Sequence, residues 1–390
     1  MTDPQAIDAG SILDAARNIA PQIDALRSEI ELERRLPPSL VEAMRSAHLF
    51  ELWVPRKFGG LELHPVDFVR VIKVLSRADG SVGWCATIAN VYGLVAGSLP
   101  EAAAGEIFGN HEIVAGTINP TGTAIAVDDG YRVTGRWAYG SGIDHSSWVL
   151  ANCIIFDGTT PRRTSSGGPD MRFMFFPRNN VDIIDTWHVG GMRGTGSHDF
   201  RVDDLFVPTD RSIPAFISLG TQPGTLFRTP LISLFVVALA AVTLGIARAA
   251  LDALYELAGA KTPMGSTVLL RDKPAAQSSA ARAESLVRAA RAFLFDAIGE
   301  QWNEVAAGKQ PSLQKRASIR LACTHAGEAC ASAVDLAYQT AGGSALYDSN
   351  RFERCFRDVH AAIQHIGLTT NNYELAGRVL FGLDPGTPRF

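Results

Sequence analysis

The pattern of apolar and polar positions changes twice along the chain. Apolar residues recur at spacings of three and four in residues 12–26, 40–49 and 67–76, which predicts amphipathic helices. From about residue 113 to 212, short runs rich in β-branched and aromatic residues are separated by Gly, Asp, Asn and Pro, which is typical of strands. Alanine-rich helical segments then return. We predict an N-terminal helical domain (1–112), a central β domain (113–224) and a C-terminal helical domain (225–390).

The C-terminal region contains four long helical segments joined by short loops with Gly or Pro. This arrangement indicates a four-helix bundle, with helices at 231–257, 275–304, 315–340 and 357–380. The apolar run at 230–247 is near the lower length limit for a membrane span. It continues directly into an amphipathic pattern, so we predict a buried bundle helix and no membrane span.

Composition and charge narrow the class of protein. The chain has 390 residues, enough for two or three domains. Hydrophobic residues make up 46% and charged residues 19%, which indicates a folded protein with some surface covered by subunit contacts. The net charge of −4 lacks the basic footprint of a nucleic-acid-binding protein, so we predict no nucleic-acid partner.

The cysteines and the N-terminal sequence give indications of the cellular compartment of the protein. Five scattered cysteines without a CxxC pair favour a reducing environment over a disulfide framework or a zinc site, and we predict no metal. The opening sequence MTDPQAIDAG shows neither the basic nor the apolar part of a signal peptide. We expect a cytoplasmic protein.

Four segments, in order along the chain, carry a resemblance to a known family. They are GTINPTG (116–122), GYRVTGRW with the turn after it (130–148), WHVGGMRGTGSHDFRVDDLFVP (187–208) and QTAGGSALYDSNRFERCFRD (339–358). Together they resemble the acyl-CoA dehydrogenase superfamily over nearly the whole chain. The resemblance implies an N-terminal all-α domain, a central β-barrel or sandwich domain and a C-terminal four-helix bundle. It also implies a flavin between the β domain and the bundle, in a homotetramer.

A flavin needs an apolar wall for its ring and polar partners at its edge. The resemblance implies that Trp137 supplies the wall. It also implies that Ser141, which follows Gly140 in a Gly-Ser-Gly turn, approaches the central ring nitrogen. Thr117 and Asn119 are expected at the ring as well. Two alternatives stay open: Trp137 as a strand aromatic packed on the bundle, and Ser141 as a turn-capping residue.

Further positions are expected to hold the phosphate end of the flavin. Backbone amides at Gly342 and Gly343 could bind a phosphate group. The resemblance places Arg271 where related enzymes reach the flavin of a neighbouring subunit. A plain helix C-cap and an exposed arginine are the respective alternatives.

The residues after Arg357 and Asp358 indicate the reaction type. Many acyl-CoA dehydrogenases carry a catalytic glutamate there, but this chain has Ile366, which cannot accept a proton. Some members of the family carry the catalytic glutamate in the first bundle helix instead, but residues 238–248 of this chain contain no acid. His365 instead resembles the histidine of two-component flavin-dependent monooxygenases. That resemblance implies a donor or stabiliser for the activated oxygen.

The N-terminal region resembles the same branch. The sequence DGSVGW at 79–84 is similar to its opening motif and implies that Trp84 lies near the flavin. Eight residues later, Tyr92 stands where phenol hydroxylases of the branch often carry a histidine, which argues against ortho-hydroxylation of a phenol. We predict that Tyr92 orients another substrate, such as an indole, an amine or a thioether; core packing is the alternative.

The resemblance therefore implies the oxygenase component of a two-component system. A separate NAD(P)H:flavin reductase would supply reduced flavin, FADH2 or FMNH2. O2 would form a flavin C4a-hydroperoxide, which hydroxylates an aromatic or heteroatom-containing small molecule. The alternatives are an acyl-CoA dehydrogenase or oxidase with a displaced base, and a flavin-binding scaffold without activity. The sequence distinguishes neither FMN from FAD nor C-, N- and S-oxygenation.

Overall fold

The computed structural model describes residues 8–165, 167–215, 222–387 and 390. The first seven residues, on which the signal-peptide prediction largely rests, lie outside this range. The N-terminal region is helical, as predicted. Its α-helices are α1 (Ala9–Glu33), α2 (Pro38–Ser46), α3 (Pro65–Ala78), α4 (Gly80–Gly93) and α5 (Glu101–Phe108).

The sequence of helix α4 shows no amphipathic pattern. Each of its residues is buried, so it has no polar face and no period of three to four. Its start is nevertheless marked in the sequence. Asp79 caps the helix by accepting hydrogen bonds from the backbone N–H groups of Ser81 at 2.9 Å and Val82 at 3.2 Å.

The central region forms one sheet within the described residues. Its strands are β1 (Val114–Val127), β2 (Gly130–Gly140), β3 (Trp148–Asp157), β4 (Thr160–Pro161), β5 (Met171–Pro177), β6 (Asp182–Ile184), β7 (His198–Pro208) and β8 (Ser212–Pro214). Their order is β6-β7-β2-β1-β3-β5-β8, with β4 paired to β3. Strands β1 and β3 are parallel, and the other pairs are antiparallel.

The sheet encloses a core of its own. Side chains at alternate positions of β1, β2, β3, β5 and β7 pack together, as expected where one face of a sheet is buried. The largest of them are Trp137, Phe176 and Phe200. This core is separate from the apolar core that the N-terminal helices share with the bundle.

The C-terminal region consists of α6 (Thr225–Arg228), α7 (Leu231–Ala260), α8 (Pro274–Ala306), α9 (Leu313–Ala341), α10 (Arg351–Ala362) and α11 (Asn371–Leu380). Helix α7 is the apolar segment that was predicted to be a bundle helix. Among the described residues, it is the one helix long and apolar enough to cross a membrane, and 83% of its most apolar stretch is buried inside the protein. It packs against α3, α4, α9 and α10.

The prediction of one continuous helix over 357–380 is wrong. The chain leaves the helix after Ala362 and re-enters it at Asn371. Asn372 stabilises the break, because its side-chain amide donates hydrogen bonds to the carbonyl oxygens of Ile366 at 3.1 Å and Thr369 at 2.8 Å. His365 lies in this break.

A buried ionic network joins the three regions. The guanidinium of Arg354 on α10 lies 2.6 Å from Asp79, the cap of α4, and 3.7 Å from Asp358. Asp358 in turn accepts a hydrogen bond of 2.6 Å from the backbone N–H of Met192, just before β7. The start of α4, helix α10 and the segment between β6 and β7 are thereby held together.

Candidate active site

Trp84 lies between a turn of the sheet and the break in the bundle. Its indole Nε1–H donates a hydrogen bond of 3.1 Å to Ser141 Oγ. Its ring meets that of His365 edge to face, with 5.9 Å between the centroids. Helix α4 can hold the indole there because it packs closely on α3: a Cβ at Gly83 would lie 1.8 Å from Ser76 Oγ.

Ser141 sits in a glycine-flanked turn directly after β2. Gly142 has a φ of +78°, and its N–H donates a hydrogen bond of 2.8 Å to the carbonyl oxygen of Thr195. The Ser141 hydroxyl lies 2.7 Å from that of Ser197, which lies 2.6 Å from that of Thr195. The turn is therefore tied to the segment before β7 by both backbone and side chains.

His365 is held by its own backbone turn. The Gly367 N–H donates a hydrogen bond of 3.1 Å to His365 Nδ1, so Nδ1 carries no proton. Burial lowers the pKa of His365 to about 4, and the imidazole is neutral at physiological pH. The remaining proton is on Nε2, which makes His365 a hydrogen-bond donor there.

Aromatic rings enclose the His365 imidazole. Besides Trp84, Phe235 at the start of α7 meets it edge to face, with 5.2 Å between the centroids. The neutral, mostly buried donor is thus surrounded by apolar surface. Water competes poorly for a donor in such surroundings.

The positions of the dehydrogenase base contain no carboxylate. Ile366 is 75% exposed and points away from this cluster. The stretch of α7 that could carry the alternative base is apolar and buried. The next acid on α7, Asp252, is bound in ion pairs with Arg248 at 2.8 Å and Arg77 at 2.6 Å.

The predicted role of Trp137 as the flavin wall is wrong. Its side chain is 0% exposed and lies in the internal core of the sheet, stacked on Phe200 with 5.3 Å between the rings. Its Nε1–H donates to the carbonyl oxygen of Asn152 at 2.9 Å. A β-strand alternates its faces, and Trp137 belongs to the inner face. It is a core aromatic, although the sheet and not the bundle provides the core.

Thr117 borders an irregular segment of β1, and Asn119 lies within it. Pairing with β3 runs up to Thr117 and resumes at Gly122, so the residues between bulge out of the ladder. Thr117 is buried, whereas Asn119 is exposed at the bulge. The structure describes no contact of either with Trp84 or His365, and their flavin role stays a prediction.

The residues predicted for the phosphate end form a second group. Gly342, with a φ of +58°, ends α9, and Lys261 donates hydrogen bonds to Ala341 O at 2.6 Å and Ser344 Oγ at 2.9 Å around it. The backbone of Lys261 also accepts from Leu270, beside the exposed Arg271. Lys261 therefore links the turn of Gly342 and Gly343 to that of Arg271.

Tyr92 is buried two helical turns after Trp84, at ~12 Å along α4. Its hydroxyl has no hydrogen-bond partner among the described residues, although the side chain is only 4% exposed. Burial raises the pKa of Tyr92 above its usual value, so the hydroxyl stays protonated. The hydroxyl oxygen is not one of the fully enclosed, unpaired polar atoms of the structure, so a polar group of a ligand can reach it.

Two other features lie away from this cluster. A groove of about 800 Å³ runs between α1, α3, α7 and α8 and contains neither Trp84 nor His365 in its lining. A second cluster places His48 and His111 at 2.6–3.1 Å from the buried carboxylate of Glu51. These are hydrogen-bond distances, shorter than the ~3.3 Å between ligand atoms around a tetrahedral zinc ion.

Comparisons with known proteins identify the family of the chain. Family models named acyl-CoA dehydrogenase, N-terminal domain, and acyl-CoA dehydrogenase, C-terminal domain, match residues 10–101 and 237–370. An indole-3-acetate monooxygenase of Pseudomonas putida is 32% identical, covering 96% of this chain and 93% of its own. The flavin-dependent monooxygenase oxygenase subunit HsaA of Mycobacterium tuberculosis is 30% identical, with 99% of each chain covered. The chain belongs to the flavin-dependent monooxygenases of the acyl-CoA dehydrogenase superfamily.

A solved structure supports the same assignment. XiaF from a Streptomyces species, in complex with FADH2 and glycerol, has a TM-score of 0.90 and 29% identity and covers 97% of both chains. The predicted fold and the predicted class, a flavin-dependent monooxygenase, are confirmed.

Sequence patterns pointed to Trp84, Ser141 and His365 but not to every residue around them in this monooxygenase. Phe235 is one of many apolar residues of α7, and nothing in the sequence distinguishes it. Thr195 and Ser197 lie in the sequence RGTGS at 193–197, where two hydroxyl residues two positions apart could have been recognised as candidate site residues.

Proposed function

We propose that this monooxygenase holds a reduced flavin against Trp84, Ser141 and His365 and transfers one atom of O2 to an aromatic or heteroatom-containing small molecule. Activation of O2 is the chemistry that the flavin supplies when bound. The observation that carries the proposal is the neutral imidazole of His365, which presents an Nε2–H donor where a dehydrogenase would need a base.

Each side chain of the cluster fits a part of this task. Trp84 and Phe235 provide apolar surface for the ring and exclude water from it. Ser141 offers its hydroxyl oxygen to the polar centre of the ring. His365 donates a hydrogen bond to the reacting oxygen; with its lowered pKa it neither removes nor stores a proton at neutral pH.

The substrate we propose is a planar aromatic compound with a hydrogen-bonding group, and an indole is the first to test. The protonated, unpartnered hydroxyl of Tyr92 supports this, since it can bind such a group but cannot deprotonate a phenol. The relative from Pseudomonas putida, named for indole-3-acetate, is consistent with this class.

Two further parts of the proposal concern partners. The relative HsaA is named an oxygenase subunit, and we propose that a separate NAD(P)H:flavin reductase likewise supplies reduced flavin to this chain. We also propose a homotetramer in which Arg271, exposed on its own subunit, reaches the flavin of a neighbour, with Gly342 and Gly343 at the phosphate groups.

The test is oxygen incorporation with an added flavin reductase, NADH, FAD or FMN, and a panel of indoles and other aromatics under 18O2. We expect a product with one 18O atom. A His365→Gln variant should release H2O2 instead, with product per O2 falling about tenfold for one lost hydrogen bond to a charged or developing-charge oxygen.

The matched control is His360→Gln. His360 lies on α10, five residues before His365, but its ring bonds Asp335 at 2.9 Å, so product per O2 should not change. Unlabelled product, or no product with either flavin, would refute the proposed function. Equal coupling in both variants would refute the role of His365.

A further inference from the structure

The hydroxyl of Ser141 belongs to a chain of hydrogen bonds with two fixed ends. At one end stands Trp84 Nε1–H, which can only donate. At the other end stands the carbonyl oxygen of Met192, which can only accept, 2.8 Å from Thr195 Oγ1. Between these ends lie the hydroxyls of Ser141, Ser197 and Thr195, at 2.7 Å and 2.6 Å from one another.

The fixed ends determine the direction of every bond between them. Thr195 must give its proton to the Met192 carbonyl, because that oxygen has none. Thr195 can then only accept from Ser197, and Ser197 can then only accept from Ser141. The Ser141 proton is thereby used, and Ser141 already accepts from Trp84. What remains on its oxygen is one lone pair, which can accept but not donate.

This polarity distinguishes the two redox states of a flavin. The central ring nitrogen N5 carries a hydrogen in the reduced ring and only a lone pair in the oxidised ring. We propose that Thr195 and Ser197 are positioning residues that fix Ser141 as an acceptor, so that the site favours reduced over oxidised flavin. The proposal rests on the proposed function, which places Ser141 at the flavin ring.

Burial keeps this series of hydrogen bonds in one arrangement. Thr195, Ser197 and Ser141 are 2%, 4% and 7% exposed, so bulk water has little access to reverse the bonds. The backbone bond from Gly142 to Thr195 O fixes the distance between the two segments.

The test is a measurement of the dissociation constants of reduced and oxidised flavin, the reduced form under anaerobic conditions. In Ser197→Ala the Ser141 proton loses its acceptor and can turn to N5 of the oxidised ring. We expect the ratio of oxidised to reduced dissociation constants to fall about tenfold, the size of one hydrogen bond. The midpoint potential of the bound flavin should fall by ~30 mV, the two-electron equivalent of tenfold.

A pair of variants at Thr195 separates this role from general damage. Thr195→Val removes the link to Met192 and should lower the ratio, whereas Thr195→Ser keeps the hydroxyl and should restore the wild-type ratio and potential. Damage to the fold would weaken both flavin states alike and leave the ratio unchanged.

The outcomes distinguish this inference from the proposal beneath it. If the wild type bound neither flavin state, the proposed function would fail and the inference with it. If it bound reduced flavin but the ratio in Ser197→Ala and Thr195→Val matched that of the wild type, only the inference would be overturned. A wild-type ratio near one would overturn it as well.

Discussion

Arg354 balances the carboxylates that hold the three regions together, and its replacement by methionine should destabilise the whole fold. Its guanidinium lies 2.6 Å from Asp79, 3.7 Å from Asp358 and 3.6 Å from Glu31. The side chains of Asp79 and Asp358 are 0% and 3% exposed. Methionine keeps the volume of the stem but leaves both buried carboxylates without their cation.

Removing one partner of a buried ion pair costs about 3–5 kcal/mol, because the remaining charge stays desolvated. For a chain of this size we expect a fall in Tm of roughly 4–6 °C. The cost should depend on pH in a defined direction. Burial already raises the pKa of Asp358 to about 7, above its unfolded value, and loss of Arg354 raises it further. The folded variant then binds protons that the unfolded chain releases, so its deficit should shrink as the pH falls from 8 towards 5.

The assay is thermal and urea unfolding at several pH values, with Arg17→Met as the control. Arg17 pairs with Asp14 on the surface, where the side chains are 60% and 66% exposed, and its loss should cost no more than ~0.5 kcal/mol. A deficit for Arg354→Met below ~1 kcal/mol at pH 8, or one that grows on acidification, would refute the reasoning.

Three further predictions follow from the site. Gly367→Ala places a Cβ 3.0 Å from Val236 and 3.3 Å from His365 Nδ1. We expect the variant to lose ~1–3 kcal/mol of stability in thermal unfolding and to form less product per O2. No change in either measurement would contradict this account of the packing. Tyr92→Phe should leave Tm within a degree, since the hydroxyl has no protein partner, but raise KM for the aromatic substrate about threefold or more; an unchanged KM would remove Tyr92 from the substrate site. Burial lowers the pKa of both His365 and His145 to about 4, so the unfolded chain takes up protons first and stability should fall between pH 6.5 and 4, by ~3 kcal/mol per histidine at most. Replacing either histidine with Gln should flatten that slope in urea titrations.

The sequence was sufficient to predict those local features that depend on the identity of one or two residues. Pro38 marks the start of α2, and the sequence Asp128-Asp129-Gly130 marks the hairpin of β1 and β2. The same holds for Ile366, whose identity alone excludes a base at the position of the dehydrogenase glutamate. These signals are local, so they do not depend on how the rest of the chain packs.

The sequence was insufficient where the role of a residue depends on which part of the protein its side chain faces. Trp137 and Trp84 both follow motifs of the family, but one faces the core of the sheet and the other faces Ser141 and His365. Alternation along a strand says that two faces exist, not which of them another domain covers. Lys261 shows the same limit, because its partners at Ala341 and Ser344 are about eighty residues away in sequence.

The break between α10 and α11 gives His365 its chemistry. In a continuous helix the Gly367 N–H would donate to the carbonyl of Ile363, four residues earlier, and Nδ1 of His365 would be free to carry the proton. Because the helix ends at Ala362, that N–H is available and donates to Nδ1 instead. The backbone thereby selects the tautomer with a proton on Nε2, and burial keeps the ring neutral. The residue that replaces a dehydrogenase base is thus a donor because of the chain's path, and a variant that restored the helix through 363–370 should lose that donor even with His365 in place.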